Sequence, residues 1–119
     1  MTIVIELPYQ RPPLTPNQRL HWSVRARLTR EIRETAGMCA RSAKLPSLGR
    51  SEVTTVWFVP DRRRRDAGSL SLTTKAALDG LVDAGVWPDD NTTWVAQESY
   101  RIEMDKSRPR IEIHIQEAQ

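Results

Sequence analysis

The sequence predicts an α+β fold, a single small domain in which two helices cover a mixed sheet in the order β-α-β-α-β-β. Three observations carry that expectation. Apolar residues alternate with period two near both ends, at Ile3, Ile5 and Leu7 and again at Ile111, Ile113 and Ile115. Two interior stretches repeat apolar residues at helical spacing, and proline or glycine clusters separate the segments. A chain of 119 residues is long enough to bury a core and short enough for a dimer interface to add to its stability, so 1–119 is read as one domain.

Thr2 to Leu7 reads as a strand that Pro8 ends. Pro8, Pro12, Pro13 and Pro16 then impose an extended, helix-free loop, because each fixes its own φ and biases its predecessor toward extended geometry. From Trp22 to Ala43, Trp22, Ala26, Ile32, Ala36, Cys39 and Ala43 mark one face of a long amphipathic helix, weakened modestly by Gly37. Leu45 to Gly49 breaks it. Glu52 to Val59 is apolar on both faces in its second half, as an interior strand is, and Pro60 stops it. Leu78, Leu81 and Val82 define a second helix with Lys75, Asp79 and Asp83 on its polar face and Gly85 as its C-terminal cap. Trp94, Ala96, Tyr100 and Ile102 alternate over Thr92 to Glu103, and Arg110 to Gln116 alternates again. With turn chemistry at Asp105 to Pro109, the last two strands read as a β-hairpin. His114 falls on the polar face of its strand and reads as surface.

The net charge is +3, and all but Lys44, Lys75 and Lys106 of the 18 basic residues are Arg. Arginine suits bidentate phosphate contacts, although coding bias produces the same ratio. The distribution is more telling: Arg19, Arg25, Arg27, Arg30, Arg33 and Arg41 lie in or just before one helix, and Arg62 to Arg65 in one loop, as a nucleic-acid footprint would. The one cysteine, Cys39, can form no internal disulfide and no zinc site alone. With no long apolar run and no signal segment, the expectation is a cytoplasmic protein without membrane contact.

Residues Pro60 to Asp90 concentrate the chemistry. Asp61, four arginines and Asp66 precede a short helix, and Asp89, Asp90 and Asn91 follow it. Two carboxylate clusters brought together by a helix, with guanidinium groups beside them, suit a divalent metal and a phosphodiester. The same residues also fit a solvated loop and a polar turn. Lys75 and Asp79, four apart, fit a helix-surface ion pair, which would make Lys75 structural.

Asp61 to Asp66, Lys75-Ala76-Ala77-Leu78-Asp79 and Ala84 to Asp90 together resemble the core motif of RusA-type Holliday-junction resolvases. The likeness extends outward to Leu7-Pro8, Pro13 and Asn17, and to the strand from Ile111 to Ile115, so it covers nearly the whole chain. It departs in one place: the family's Asp-x-Asp-Asn run has Gly68 and Ser69 where the second Asp and the Asn would stand, with about three extra residues before Lys75.

The resemblance implies a homodimer that nicks opposed strands of a four-way DNA junction with Mg²⁺, or Mn²⁺ in its place. It assigns Asp66 and Asp90, with Asp89 beside them, to the metal, and Asp66, Asp90 and Lys75 to catalysis, where Lys75 offsets charge on the phosphate. Arg62, Arg63, Arg64 and Arg65, with Arg19 and His21, are assigned to the DNA backbone. Glycine at position 68 removes a carboxylate and weakens the metal site, and a positive φ there would oppose putting one back. The alternative is a catalytically silent relative that binds branched DNA or a protein partner.

Overall fold

The computed structural model describes residues 2–118. Its elements are β1 (Thr2–Leu7), α1 (Trp22–Ser42), β2 (Ser51–Val59), a 3₁₀ turn (Ala67–Leu70), α2 (Ser71–Asp83), β3 (Val95–Met104) and β4 (Arg110–Glu117). They form the α+β domain that the sequence predicts. The four strands make one mixed sheet in the order β1-β4-β2-β3. β4 runs antiparallel to both β1 and β2, and β2 runs parallel to β3. Parallel neighbours need a crossover connection, and α2 supplies it.

The expected hairpin between the last two strands does not form, because β2 lies between them. The turn chemistry is real: Asp105 Oδ1 accepts from the backbone N–H groups of Ser107 and Arg108, both at 3.2 Å. Such bonds shape the turn without choosing a strand partner. Burial chooses it. Ile111, Ile113 and Ile115 are all fully buried, which suits a central strand paired on both sides, whereas β3 is largely exposed and takes an edge.

Cross-strand register aligns three rows on the face that the helices cover. Ile5, Ile113, Thr55 and Tyr100 form one, and Leu7, Ile111, Trp57 and Ile102 the next. The third is Ile3, Ile115, Val53 and Glu98, so a carboxylate ends an otherwise apolar row. Over these rows lie Ile32, Ala36 and Ala40 of α1 and Ala76, Ala77, Leu78 and Leu81 of α2. Thr74 of α2 meets Thr55 with their hydroxyls 2.8 Å apart. The opposite face carries charged side chains around a buried Val56, with Glu112 accepting from Arg110 at 2.7 Å and paired with His114 at 2.9 Å.

The two helices touch where glycines remove the side chains between them. A Cβ on Gly80 would lie 2.1 Å from the Arg33 carbonyl oxygen, and one on Gly37 would lie 3.1 Å from that of Gly80. Arg33 then donates to both carboxylate oxygens of Asp83 across the crossing, at 2.6 and 2.8 Å. The buried face of α1 is centred on Ile32, Ala36, Gly37 and Ala40. Trp22, Ala26 and Ala43, expected on that face, are exposed. Burial on α1 follows its contact with α2 and the sheet, and helical spacing alone does not locate that contact.

Candidate functional site

Two anchored segments bring the acidic residues to α2. Gly85, with φ of 87°, ends α2: its N–H reaches the Val82 carbonyl at 2.9 Å and the Val86 N–H reaches Leu81 at 3.0 Å. Trp87 is buried and donates from Nε1 to the Gly49 carbonyl and the Ser51 hydroxyl, both at 3.2 Å. Pro88 and Asp89 follow, and the Asp89 carboxylate is consumed by the turn, accepting from the Asp90 N–H at 2.7 Å and Asn91 Nδ2 at 3.1 Å. Asp90 is thereby directed at α2. On the far side, buried Thr73 donates to the Leu14 carbonyl at 2.7 Å, tying the proline-rich loop to the helix.

Lys75 Nζ lies 2.5 Å from Asp90 Oδ2 and 3.2 Å from Asp79 Oδ1. Lys75 thus pairs along its own helix, as the spacing of four predicts, and also reaches the second acidic cluster. The hydrogen bond to Asp90 holds the Lys75 ammonium above its usual range despite partial desolvation, with Asp79 adding to it. Desolvation and then the hydrogen bond shared with Asp90 push Asp79 up, against Lys75. Desolvation also pushes Asp90 up, but hydrogen bonds from Lys75 and Asp79 outweigh it and leave Asp90 low. Glu98, on the helix-facing side of edge strand β3, is raised by desolvation and by the charge of Asp90, with Lys75 opposing. The residue as a whole stays exposed, so that desolvation is partial. Tyr100, next along the same side of β3, is raised first by burial and then by Glu98.

Asp79 and Glu98 were not among the expected site residues. Glu98 was legible: it falls on the face that Trp94, Ala96, Tyr100 and Ile102 mark as apolar, an odd place for a carboxylate unless something there uses it.

Asp66 does not join this group. It sits exposed before the 3₁₀ turn, its carboxylate makes no cap, and its carbonyl accepts from Ser69 N–H at 3.0 Å. The residues from 67 to 75 are helical, which separates Asp66 from Lys75 by roughly two and a half turns. The extra residues before Lys75 fold into that added length. Among the described residues no three His, Cys, Asp or Glu side chains form a group that could hold a metal ion. Gly68 is exposed, has no positive φ, and a Cβ there would meet nothing within 4 Å. The Ser69 hydroxyl is buried with no hydrogen-bond partner.

The four arginines divide. Arg65 is mostly buried and structural: it donates to the Asp61 carboxylate at 2.8 Å and the Arg63 carbonyl at 3.0 Å, with its guanidinium 5.4 Å from the Trp57 ring centre. Arg63 pairs with Asp61 at 3.0 Å, and these two arginines hold the Asp61 carboxyl well below its usual range, Arg63 foremost. Arg62 and Arg64 are exposed and make no ion pair among the described residues. Arg63, Arg64 and Arg65 border a depression of about 460 Å³ with Arg11, which sequence reading had not singled out. Arg19 is exposed, and His21 caps α1, its Nδ1 accepting from the Ser23 N–H at 3.2 Å.

No family model matches the chain. A protein of Xylella fastidiosa (strain Temecula1) described as "Uncharacterized protein" is 31% identical over 85 residues, covering 67% of this chain and 56% of its own length. The chain thus spans little more than half of that relative, whose description gives no activity. No helix among the described residues is long and apolar enough to cross a membrane.

Proposed function

We propose that the protein is a metal-dependent, structure-selective DNA endonuclease that acts on four-way junctions as a homodimer, in the cytoplasm, in recombination, repair or phage DNA processing. One observation carries the reading: a lysine is held 2.5 Å from Asp90 and 3.2 Å from Asp79, with Glu98 close enough to feel their charges, in a chain whose free arginines cluster in the loop before α2 and along α1. That group holds more carboxylates than one ammonium neutralises, so a phosphate needs a further cation to approach it. The donors are hard oxygens, which fits Mg²⁺ or Mn²⁺ bound through one or two carboxylates, Asp90 and Asp79, with phosphate oxygens and water completing the shell. When bound, such an ion would polarise the phosphate and acidify an attacking water.

The chain's own residues supply the rest. Asp79, 3.2 Å from Lys75 Nζ, helps hold that ammonium in place. Lys75 offsets charge on the phosphate as the bond from phosphorus to the leaving sugar oxygen breaks. Arg62 and Arg64 hold the DNA backbone without reading bases. Twofold symmetry of the dimer would match a junction's two equivalent strands.

The test is a synthetic four-way junction with Mg²⁺ or Mn²⁺. Symmetric nicks are expected. Lys75→Gln should reduce the cleavage rate about a hundredfold while leaving junction affinity within a few-fold. Asp90→Asn should abolish cleavage and preserve or strengthen binding, because a charge that repels phosphate is gone. Cleavage that persists in both variants would show the site to be elsewhere. The exposed, separate position of Asp66 and the glycine at 68 favour a second reading, a junction-binding protein that does not cut. Salt-sensitive binding with no nicks under either metal would select it.

A further inference from the structure

We propose that the face of α1 centred on Trp22 is a stacking platform for an unpaired base of single-stranded DNA, with Arg30 and Arg25 holding the flanking phosphates. Trp22 is 76% exposed, although a tryptophan buries more apolar area than most side chains when it packs. His21 stands beside it with ring centres 5.5 Å apart, and His21 is itself fixed by Ser23, whose hydroxyl is 2.7 Å from Nδ1. Trp22, Arg25, Ala26, Thr29, Arg30 and Arg33 line a shallow depression of about 470 Å³, and none of the six is acidic. Arg30 makes no ion pair among the described residues, and Arg25 spends one N–H on the Gln18 carbonyl at 3.1 Å.

The occupant follows from charge and shape. A second copy of the chain, docked by twofold symmetry, would bring this arginine-lined face against itself. An acidic peptide supplies charge but no regular series of flat rings. A nucleic-acid strand supplies both, phosphates for guanidinium groups and bases for the indole, and only unpaired bases leave a π-face open. The platform also leads somewhere. Arg33, at its far end, is held by Asp83 and lies close enough to Asp79 and Asp90 to feel their charge, so a strand seated on Trp22 would run toward the Lys75 group. The choice of DNA over RNA rests on the proposed function; the platform itself does not.

The experiment measures fluorescence anisotropy of labelled dT 20-mer, rU 20-mer and a 20-base-pair DNA duplex with the full chain and its Trp22→Ala, Trp22→Phe and Arg30→Ala variants. Trp22→Ala should weaken dT binding about tenfold and duplex binding less than about twofold, since only the single strand can stack. Trp22→Phe should retain affinity within about threefold, and Arg30→Ala should reduce the salt dependence of dT binding. Sedimentation of each variant serves as the control. Unchanged dT affinity in Trp22→Ala would overturn the proposal, as would a Trp22-dependent change of oligomeric state or a larger effect on rU than on dT. Trp22-dependent dT binding by a protein that never cuts junctions would sink the nuclease reading and leave this one standing. Junction cleavage with Trp22-independent dT binding would do the reverse.

Discussion

At position 68 a side chain has room. Gly68 faces solvent in a backbone conformation that any residue adopts, so the expected penalty for placing aspartate there is absent. The neighbouring Ser69 hydroxyl is buried and unpartnered, an arrangement that costs about 1–3 kcal/mol. Gly68→Asp with Ser69→Asn should therefore fold, but the helical turns that keep Asp66 from Lys75 also keep position 68 from Asp79 and Asp90, so the Mg²⁺ dependence of cleavage should stay unchanged. A shift of the Mg²⁺ requirement to tenfold lower concentration would correspond to about 1.4 kcal/mol. Metal titrations of junction cleavage give the answer. A double variant whose Mg²⁺ requirement falls tenfold would show instead that position 68 reaches the metal. At this scale the sequence pointed to Lys75 and Asp90, which do meet, and to Asp66, which the helical turns before Lys75 keep apart.

Between α1 and α2, glycine at 80 is a packing requirement. Helix propensity alone says that Gly80→Ala in α2 should stabilise by about 1 kcal/mol. Contact says the opposite, because the new Cβ would stand 2.1 Å from the Arg33 carbonyl oxygen, a backbone atom that cannot move aside cheaply. Overpacking of this kind costs about 1–3 kcal/mol or more, so contact wins. Gly80→Ala should lower Tm by several degrees and loosen the Arg33 to Asp83 pair. Gly85→Ala is the comparison: open space surrounds it, and its φ of 87° costs about 1 kcal/mol. Thermal melts in which Gly80→Ala is the milder of the two would refute the close crossing. The glycines were visible in the sequence, but their partner helix was not.

For the whole molecule, acid should be destabilising. Asp83 is held low first by the Arg33 hydrogen bond, Asp105 is held down to about 2 first by Arg110, and Asp61 is low as well. Glu112 and Asp90 are low despite desolvation, because Arg110 and Lys75 respectively donate to them. A folded value below the unfolded one gives stability that is present above the unfolded value, near 4, and is lost as pH falls through the folded one. Asp79 and Glu98 act oppositely, being raised, and favour the folded state below their unfolded values. Five groups against two decide the sign. Urea midpoints should fall between about pH 4 and pH 2, and Asp83→Asn should flatten that slope. A midpoint that rises over this window would contradict the ion-pair geometry.

Periodicity determined the elements, because a side chain's face in a helix or strand is a local property: all four strands and both helices were legible, as was Gly85 as a cap. Chemistry at a fixed spacing likewise put Lys75 and Asp79 together. Only the tertiary structure decided that β4 enters between β1 and β2, since strand pairing is settled by which faces can be buried together and not by the turn that precedes them. It also decided that Trp22 stays outside the core, because burial depends on what lies opposite a helix face. Glu98 joins Asp90 beside Lys75 through a register set across two strands and a helix, a distance in space that no spacing along the chain encodes.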